Sequence, residues 1–284
     1  MKQDKFKVSL CQYKVTTDKE KNIETAKKML EEEAQISDLL VLPEMFICPF
    51  GTVPGPFAEP VDSYKTDPAA KSMRMVSEIA KNYKKHIIAG SIPELRDGKV
   101  YNTTACFDPS GEIVTKYSKC HLFDVSVKGG IHCIESTHTT AGDSFAVFQT
   151  PYCKIGIGIC YDIRFPEFSV ALVQDPEVKI LCFPAAFNTT TGPLHWDLLR
   201  RARAVDNQVY TLLCSPAADE KGVYPAYGHS SIVSPWGKVL ADAGTEEGAL
   251  RGEIDLTEVD KFREQIPTLK HKRRDMYKLE IIKK

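Results

Sequence analysis

The chain has 284 residues, 43% hydrophobic and 26% charged, with a formal net charge of −1 and a pI near 6.7. That mix excludes a disordered chain, offers no overall field for nucleic acid or an anionic membrane, and suits a soluble globular protein of one large or two ordinary domains. No run of apolar residues is long enough to span a bilayer, and the opening MKQDKFKVSLCQYKV alternates charged with apolar residues instead of showing a signal-peptide core, so the cytoplasm is the expected compartment.

In chain order, FKVSLCQY at 6–13 reads as a strand, and IETAKKMLEEEA at 23–34 as a helix with Ile23, Ala26, Leu30 and Ala34 on one face. SDLLVLPE is a short apolar strand that stops at Pro43 and Glu44. A helix over about 69–84 leads into the strand HIIAGSIPE, and VYNTTACFDPSGEIVTKYSK makes two strands about an Asp-Pro-Ser-Gly turn. FAVFQTPYCKIGIGICYD repeats the hairpin pattern, with Pro151 and Tyr152 at the turn. A helix over about 166–174, the strand KILCFP, a helix over about 194–208 and the strand VYTLLCSPA follow. Two strands about the Pro-Trp-Gly turn of HSSIVSPWGKVLADAG and the strand ALRGEID complete the pattern. Elements after Cys160 resemble those of the first half, with no low-complexity linker between them. The pattern predicts one α/β domain over residues 1–284, with two strand-rich layers covered by helices.

Nine cysteines, an odd number with no Cys-x-x-Cys pair, argue against a disulfide framework and a zinc ribbon. Cys120-His121 and His132-Cys133 invite a metal reading, but neighbours on an extended chain point to opposite faces, so each pair offers about one ligand and no metal is expected. The basic run KHKRR at 270–274 reads as a solvated face or interface element, not a nucleic-acid contact.

Three positions carry chemistry. In GIGICYDIRFPE, residues 156–167, Cys160 ends an apolar strand just before a turn, and Pro166 with Glu167 has the form of a first helical turn. Such an elbow can expose a nucleophile and set backbone N–H groups beside it for an oxyanion; the competing reading makes Cys160 a buried core cysteine like Cys182 and Cys214. A nucleophilic thiol needs a proton acceptor. His121, His195 and His229 are candidates without a context that fixes them, whereas Glu44 ends the apolar run DLLVLPE, where an ionisable group seldom sits without a partner. Its alternative is a solvated residue past a strand. Lys119, in KYSKCHLFD, either holds a fixed positive charge near the thiol or lies on the surface.

In order, VLPE, the lysine of KCHLFD and GICYDIRFPE resemble the Glu-Lys-Cys amidohydrolases of the nitrilase superfamily. ESTHTTAGDSFAVFQTPYCKIGIGICYDIRFPE, AAFNTTTGPLHWDLLRRARAVDNQVY, YGHSSIVSPWGKVLADAGTEEG and IPTLKHKRRDMY are similar to its omega-amidase branch, so the resemblance runs from the first strand to Tyr277. It implies a four-layer αββα sandwich with a core over 5–265 and a C-terminal extension over 266–284. It also implies a catalytic triad of Glu44, Lys119 and Cys160, an oxyanion site at Lys119 and the Tyr161 N–H, and a second glutamate, Glu135, that orients Lys119 and the substrate amide. No metal or organic cofactor is implied. Cys120 departs from the branch, which has an aliphatic residue there, and a packing change is the expected consequence.

The substrates implied are 2-oxoglutaramate and 2-oxosuccinamate, cleaved to 2-oxoglutarate or oxaloacetate and ammonia. Their distal carboxylate needs a cation, and Arg164 is the candidate unless it pairs internally with Asp162 or Glu167. Phe187 and Thr191 match pocket-lining positions. A carbamoyl-amide or nitrile hydrolase with the same triad stays open, as does a silent scaffold, though the intact triad argues against silence. The resemblance further implies a homodimer joined through helical faces near the elbow, with 165–173 contributing and the tail from Pro267 reaching across.

Overall fold

In the computed structural model, which describes residues 3–282, the chain opens with β1 (Lys5–Gln12), α1 (Lys19–Glu33), β2 (Leu39–Val41), α2 (Lys71–Tyr83) and β3 (His86–Ile88). These three strands pair in parallel, β1 with β2 and β2 with β3. Next come β4 (Ile92–Arg96), β5 (Lys99–Phe107) and β6 (Ile113–Ser118), with β5 antiparallel to β3, β4 and β6. A hairpin of β7 (Asp124–Ser126) and β8 (His132–Ile134) stands apart as its own sheet.

The second half repeats the plan. After β9 (Ala146–Gln149) come β10 (Lys154–Ile157), α3 (Pro166–Leu172), β11 (Val178–Pro184), α4 (Gly192–Asn207) and β12 (Tyr210–Cys214). Here too the β10–β11 and β11–β12 pairs are parallel, and β13 (Ser231–Val233) and β14 (Val239–Asp242) continue antiparallel. Then β15 (Gly248–Asp255) crosses back to pair with β1, and α5 (Thr257–Gln265) follows. The result is a seven-stranded sheet, β15-β1-β2-β3-β5-β4 with β6 on β5, against a six-stranded one, β14-β13-β12-β11-β10-β9.

Side-chain alternation explains the layers. On β2, Leu39 and Val41 join Ile155, Ile157 and Cys182 of the second sheet in one core, while Leu40 turns the other way to Ala26, Leu30, Val76 and Ile79 of the helices. Ile88 and Ile87 of β3 divide in the same manner. On the far side, α3 and α4 press Phe168, Leu172 and Trp196 onto the second sheet. The order of layers is therefore α-β-β-α, the expected sandwich. Full burial of each Leu, Ile or Val contributes about 1.5–3 kcal/mol, which favours this two-sided burial of the central strands.

One expected strand divides. HIIAGSIPE is β3 and β4 with a bend at Gly90, where φ is +48° and an added Cβ would lie 2.1 Å from the Pro43 carbonyl oxygen. The bend grips the loop after β2: Ser91 N donates to Pro43 O at 3.2 Å, Met45 N to Ser91 Oγ at 3.0 Å and Phe46 N to Ser91 O at 3.0 Å. Glu44 lies within that clamp. The β7–β8 hairpin and α5 had no counterpart in the predicted pattern, because each is short and largely exposed on one side. Among the described residues no helix is long and apolar enough to cross a membrane.

Candidate active site

Glu44, Lys119 and Cys160 leave the ends of β2, β6 and β10, and the sheet packing brings them together. Glu44 and Lys119 are fully buried and Cys160 is 5% exposed. Lys119 Nζ donates to Glu44 Oε1 at 3.0 Å and to Glu135 Oε2 at 3.0 Å, so one ammonium bridges two carboxylates. Glu44 Oε2 accepts from Ala186 N at 2.8 Å, and Glu135 Oε2 also accepts from Phe123 N at 2.7 Å. Beneath the ammonium lies the Phe50 ring, 4.9 Å away at its centroid, a cation–π contact.

Cys160 begins a tight 3-10 turn, Cys160–Arg164, with φ at +45°, an unfavourable conformation for a residue with a Cβ. Asp162 holds this elbow. Its Oδ2 accepts from Ile159 N at 2.8 Å and from Tyr117 Oη at 2.7 Å, and its Oδ1 accepts from His121 N at 3.1 Å and meets His121 Nδ1 at 2.7 Å. Glu44 and Lys119 are the charged groups whose fields act on the thiol.

The electrostatics follow from burial. Desolvation raises the Glu44 carboxyl above its ordinary range, against the opposing pull of Lys119. Desolvation first, then the Glu44 charge, push the Cys160 thiol well up, with Lys119 again opposing. For Lys119 burial acts downward, but the charges of Glu135 and Glu44 outweigh it and hold the ammonium well above its usual value. A permanent cation thus sits beside a carboxylate of heightened basicity and a protonated thiol. That set suits base-assisted attack on a carbonyl.

On the elbow's far side, Arg164 lies over the Phe187 ring at 4.7 Å and near the Tyr161 ring at 5.8 Å, and its Nη1 donates to His195 Nδ1 at 3.1 Å. Among the described residues no carboxylate pairs with it; Asp162 is taken by Tyr117 and His121. Burial lowers the guanidinium's proton affinity, with Cys160 and Tyr161 as its nearest electrostatic neighbours.

A family model for carbon-nitrogen hydrolases matches residues 7–264. The chain belongs to the carbon-nitrogen hydrolase family. Its relatives include omega-amidase NIT2-A of Xenopus laevis, 49% identical over 97% of this chain and 98% of that one. Omega-amidase NIT2 of Homo sapiens is 45% identical over 98% of this chain and 99% of that one. The crystal structure of Saccharomyces cerevisiae Nit3, a member of branch 10 of the nitrilase superfamily, superposes with a TM-score of 0.82 at 37% identity, covering 95% of this chain and 97% of that one.

A cavity of about 540 Å³ meets the buried cluster at Glu135 and is lined by Phe50, His138, Asn188 and Tyr224 among others. Cys160, Arg164, Phe187 and Thr191 are not in its lining, whereas Thr190 is. Thr191 instead precedes α4, its N–H held by Asn188 Oδ1 at 2.9 Å. We take the hydrogen-bonded cluster as the reacting centre and the large void as its vestibule, because the buried charged groups are in the cluster.

The three histidines considered as proton acceptors are engaged elsewhere: His121 with Asp162, His195 with Arg164, and His229 with Asp242 at 2.9 Å. Sequence reasoning missed Asn102, whose Nδ2 reaches both Glu44 and Glu135, and Tyr224, whose hydroxyl donates to Ala186 O at 2.8 Å. A faint signal for Asn102 exists, since it is the one side-chain amide in the strand VYNTTACF. Cys120 packs against the core with Sγ 3.3 Å from Ser144 O.

Proposed function

We propose that this hydrolase is an omega-amidase that cleaves the terminal amide of 2-oxoglutaramate and 2-oxosuccinamate, giving 2-oxoglutarate or oxaloacetate and ammonia. The observation that carries the reading is Arg164: a half-buried guanidinium on the nucleophile's own turn, stacked over Phe187, with no carboxylate of the described residues to neutralise it. A substrate with an amide at one end and a carboxylate at the other would fill that need. The relatives named omega-amidase support the same reading.

In the proposed reaction Glu44 takes the Cys160 thiol proton as sulfur attacks the amide carbon. The Tyr161 N–H and the Lys119 ammonium hold the oxyanion. When the C–N bond breaks, the proton held by Glu44 passes to the departing nitrogen, which leaves as ammonia. Water then attacks the thioester, Glu44 receives its proton and returns it to the sulfur, and the acid is released. Glu135 keeps Lys119 aimed, and Phe187 with Thr191 would border the oxo-acid chain. Each step closes its proton balance on one carboxylate without a cofactor. A cytoplasmic setting suits the reading, since a reducing compartment keeps the thiol free. We further propose one catalytic domain over 5–265 and a homodimer to which the extension from 266 contributes.

Ammonia release from 2-oxoglutaramate by the wild type and by Cys160→Ala, with a ureido acid and a simple nitrile in parallel, tests this. The reading requires the oxo-amide to be turned over fastest and Cys160→Ala to lose at least about a thousandfold in rate. Preference for either other compound would keep the triad and remove the role given to Arg164. No turnover of any of them would point to a scaffold.

A further inference from the structure

Asn102, on β5, is fully buried and touches each of the three charged members of the cluster, Glu44, Glu135 and Lys119. Its backbone carbonyl accepts from Lys119 N at 2.8 Å, fixing the main chain from which the lysine projects. Its side-chain Nδ2 donates to Glu44 Oε1 at 3.0 Å and to Glu135 Oε1 at 3.3 Å. The two protons of a single amide therefore serve the same two carboxylates that Lys119 bridges. This orientation of the amide is dictated by its neighbours, because the flipped form would set a carbonyl oxygen against two carboxylates.

The arrangement has a cost that points to its purpose. Asn102 Oδ1 is buried and has no hydrogen-bond partner. A buried orphan acceptor destabilises the fold, so a residue retained for stability alone would be better replaced by an apolar side chain of similar size. What the amide supplies, and an apolar side chain cannot, is donation to two anions without a further charge. Two carboxylates and one ammonium leave the buried cluster with an unbalanced negative charge, which favours protonation of one carboxylate. A protonated Glu44 could not receive the thiol proton.

We propose that Asn102 is a positioning residue for Glu44: its amide ties both carboxylates to the Lys119 segment and keeps Glu44 in the ionised form that accepts the thiol proton. This rests on the assignment of Glu44 as the base. The ionisable groups that face Glu44 from the surrounding elements are Lys119 after β6, Glu135 after β8, Cys160 at the elbow, and more weakly the Tyr224 phenol. The cluster titrates as a unit, and the acid limb of kcat/KM reports it.

The test is the pH profile of kcat/KM on 2-oxoglutaramate for the wild type, Glu44→Gln, Asn102→Leu and Asn102→Asp, with circular dichroism to confirm folding. Asn102→Leu keeps the branched outline and removes both the donor and the orphan acceptor; Asn102→Asp keeps the shape and adds a carboxylate. Loss of a hydrogen bond to the ionised form raises the pH needed to ionise it, so the acid limb should move up by about one to two pH units in Asn102→Leu and at least as far in Asn102→Asp. The loss at neutral pH, about ten- to a hundredfold in kcat/KM, should shrink as pH rises. A uniform loss with the limb in its wild-type place in either folded variant, or no loss at all, would overturn the proposal. Retained activity in Glu44→Gln would sink the base assignment and this inference together. A dead Glu44→Gln beside Asn102 variants with an unmoved limb would sink the inference alone.

Discussion

Arg164 makes the substrate reading specific at the level of single atoms. The guanidinium is flat, lies over Phe187 and is steadied at one nitrogen by His195. A carboxylate approaching its free edge can accept two parallel hydrogen bonds, which an ammonium cannot reproduce. We expect Arg164→Lys to raise KM for 2-oxoglutaramate about tenfold or more while leaving kcat within about threefold, because the contact is made equally in the ground and transition states. Steady-state kinetics on the oxo-amide and on an uncharged amide of the same length would check it. The uncharged amide should be indifferent to the change, and an equal effect on both would remove the carboxylate from the assignment. Lysine keeps the positive charge, so this comparison isolates geometry from charge.

At the scale of elements, Gly90 connects backbone conformation to the loop that carries Glu44. It bends the chain between β3 and β4, and its φ of +48° together with the approach of Pro43 O leaves no room for a side chain. Gly90→Ala would push against the loop that carries Glu44, and we expect a loss of about 3 kcal/mol or more in chemical denaturation, with kcat reduced as well. A variant with wild-type stability would show that the loop yields more easily than its hydrogen bonds imply. This bend also marks a limit of sequence reading. The β-α-β-α-β repeat is legible because long apolar strands such as DLLVLPE and KIGIGICYD alternate with helices whose buried faces recur at helical spacing. Cys160 and Glu44 are legible as abrupt ends of apolar runs. The split at Gly90 is not, since HIIAGSIPE has strand composition throughout and the constraint comes from Pro43, far away in the chain. Asn102 is hidden for the same reason: its partners lie 58 and 33 residues away. Local pattern shows where a strand ends, and only packing shows what meets there.

On the scale of the whole molecule, the open question is what covers the outer helical face of the second sheet. The stretch 165–173, expected to supply an apolar interface, uses Phe168, Ala171, Leu172 and Val173 inside the protomer, where they are buried. The surplus apolar surface is on α4 instead: Leu194 and Leu198 are 70% and 66% exposed, and Val205 is exposed on the same side. Their spacing puts all three on one stripe of the helix. Beside it, the C-terminal tail folds back so that Gln174, just past α3, donates to Leu279 O at 3.2 Å, leaving Met276 and Tyr277 exposed. An apolar helical stripe flanked by an exposed apolar tail fits a two-fold contact in which each α3–α4 layer meets its copy and the tail crosses the seam. Sedimentation at micromolar concentration should then show a dimer for the wild type and a monomer for Leu198→Asp, which places a carboxylate where the two stripes would meet without disturbing a buried side chain. The elbow that bears Cys160 packs against both α3 and α4. If the monomeric variant also loses activity, the second copy is steadying the strained turn that begins at Cys160; if it keeps full activity, Asp162 and its partners hold that turn unaided.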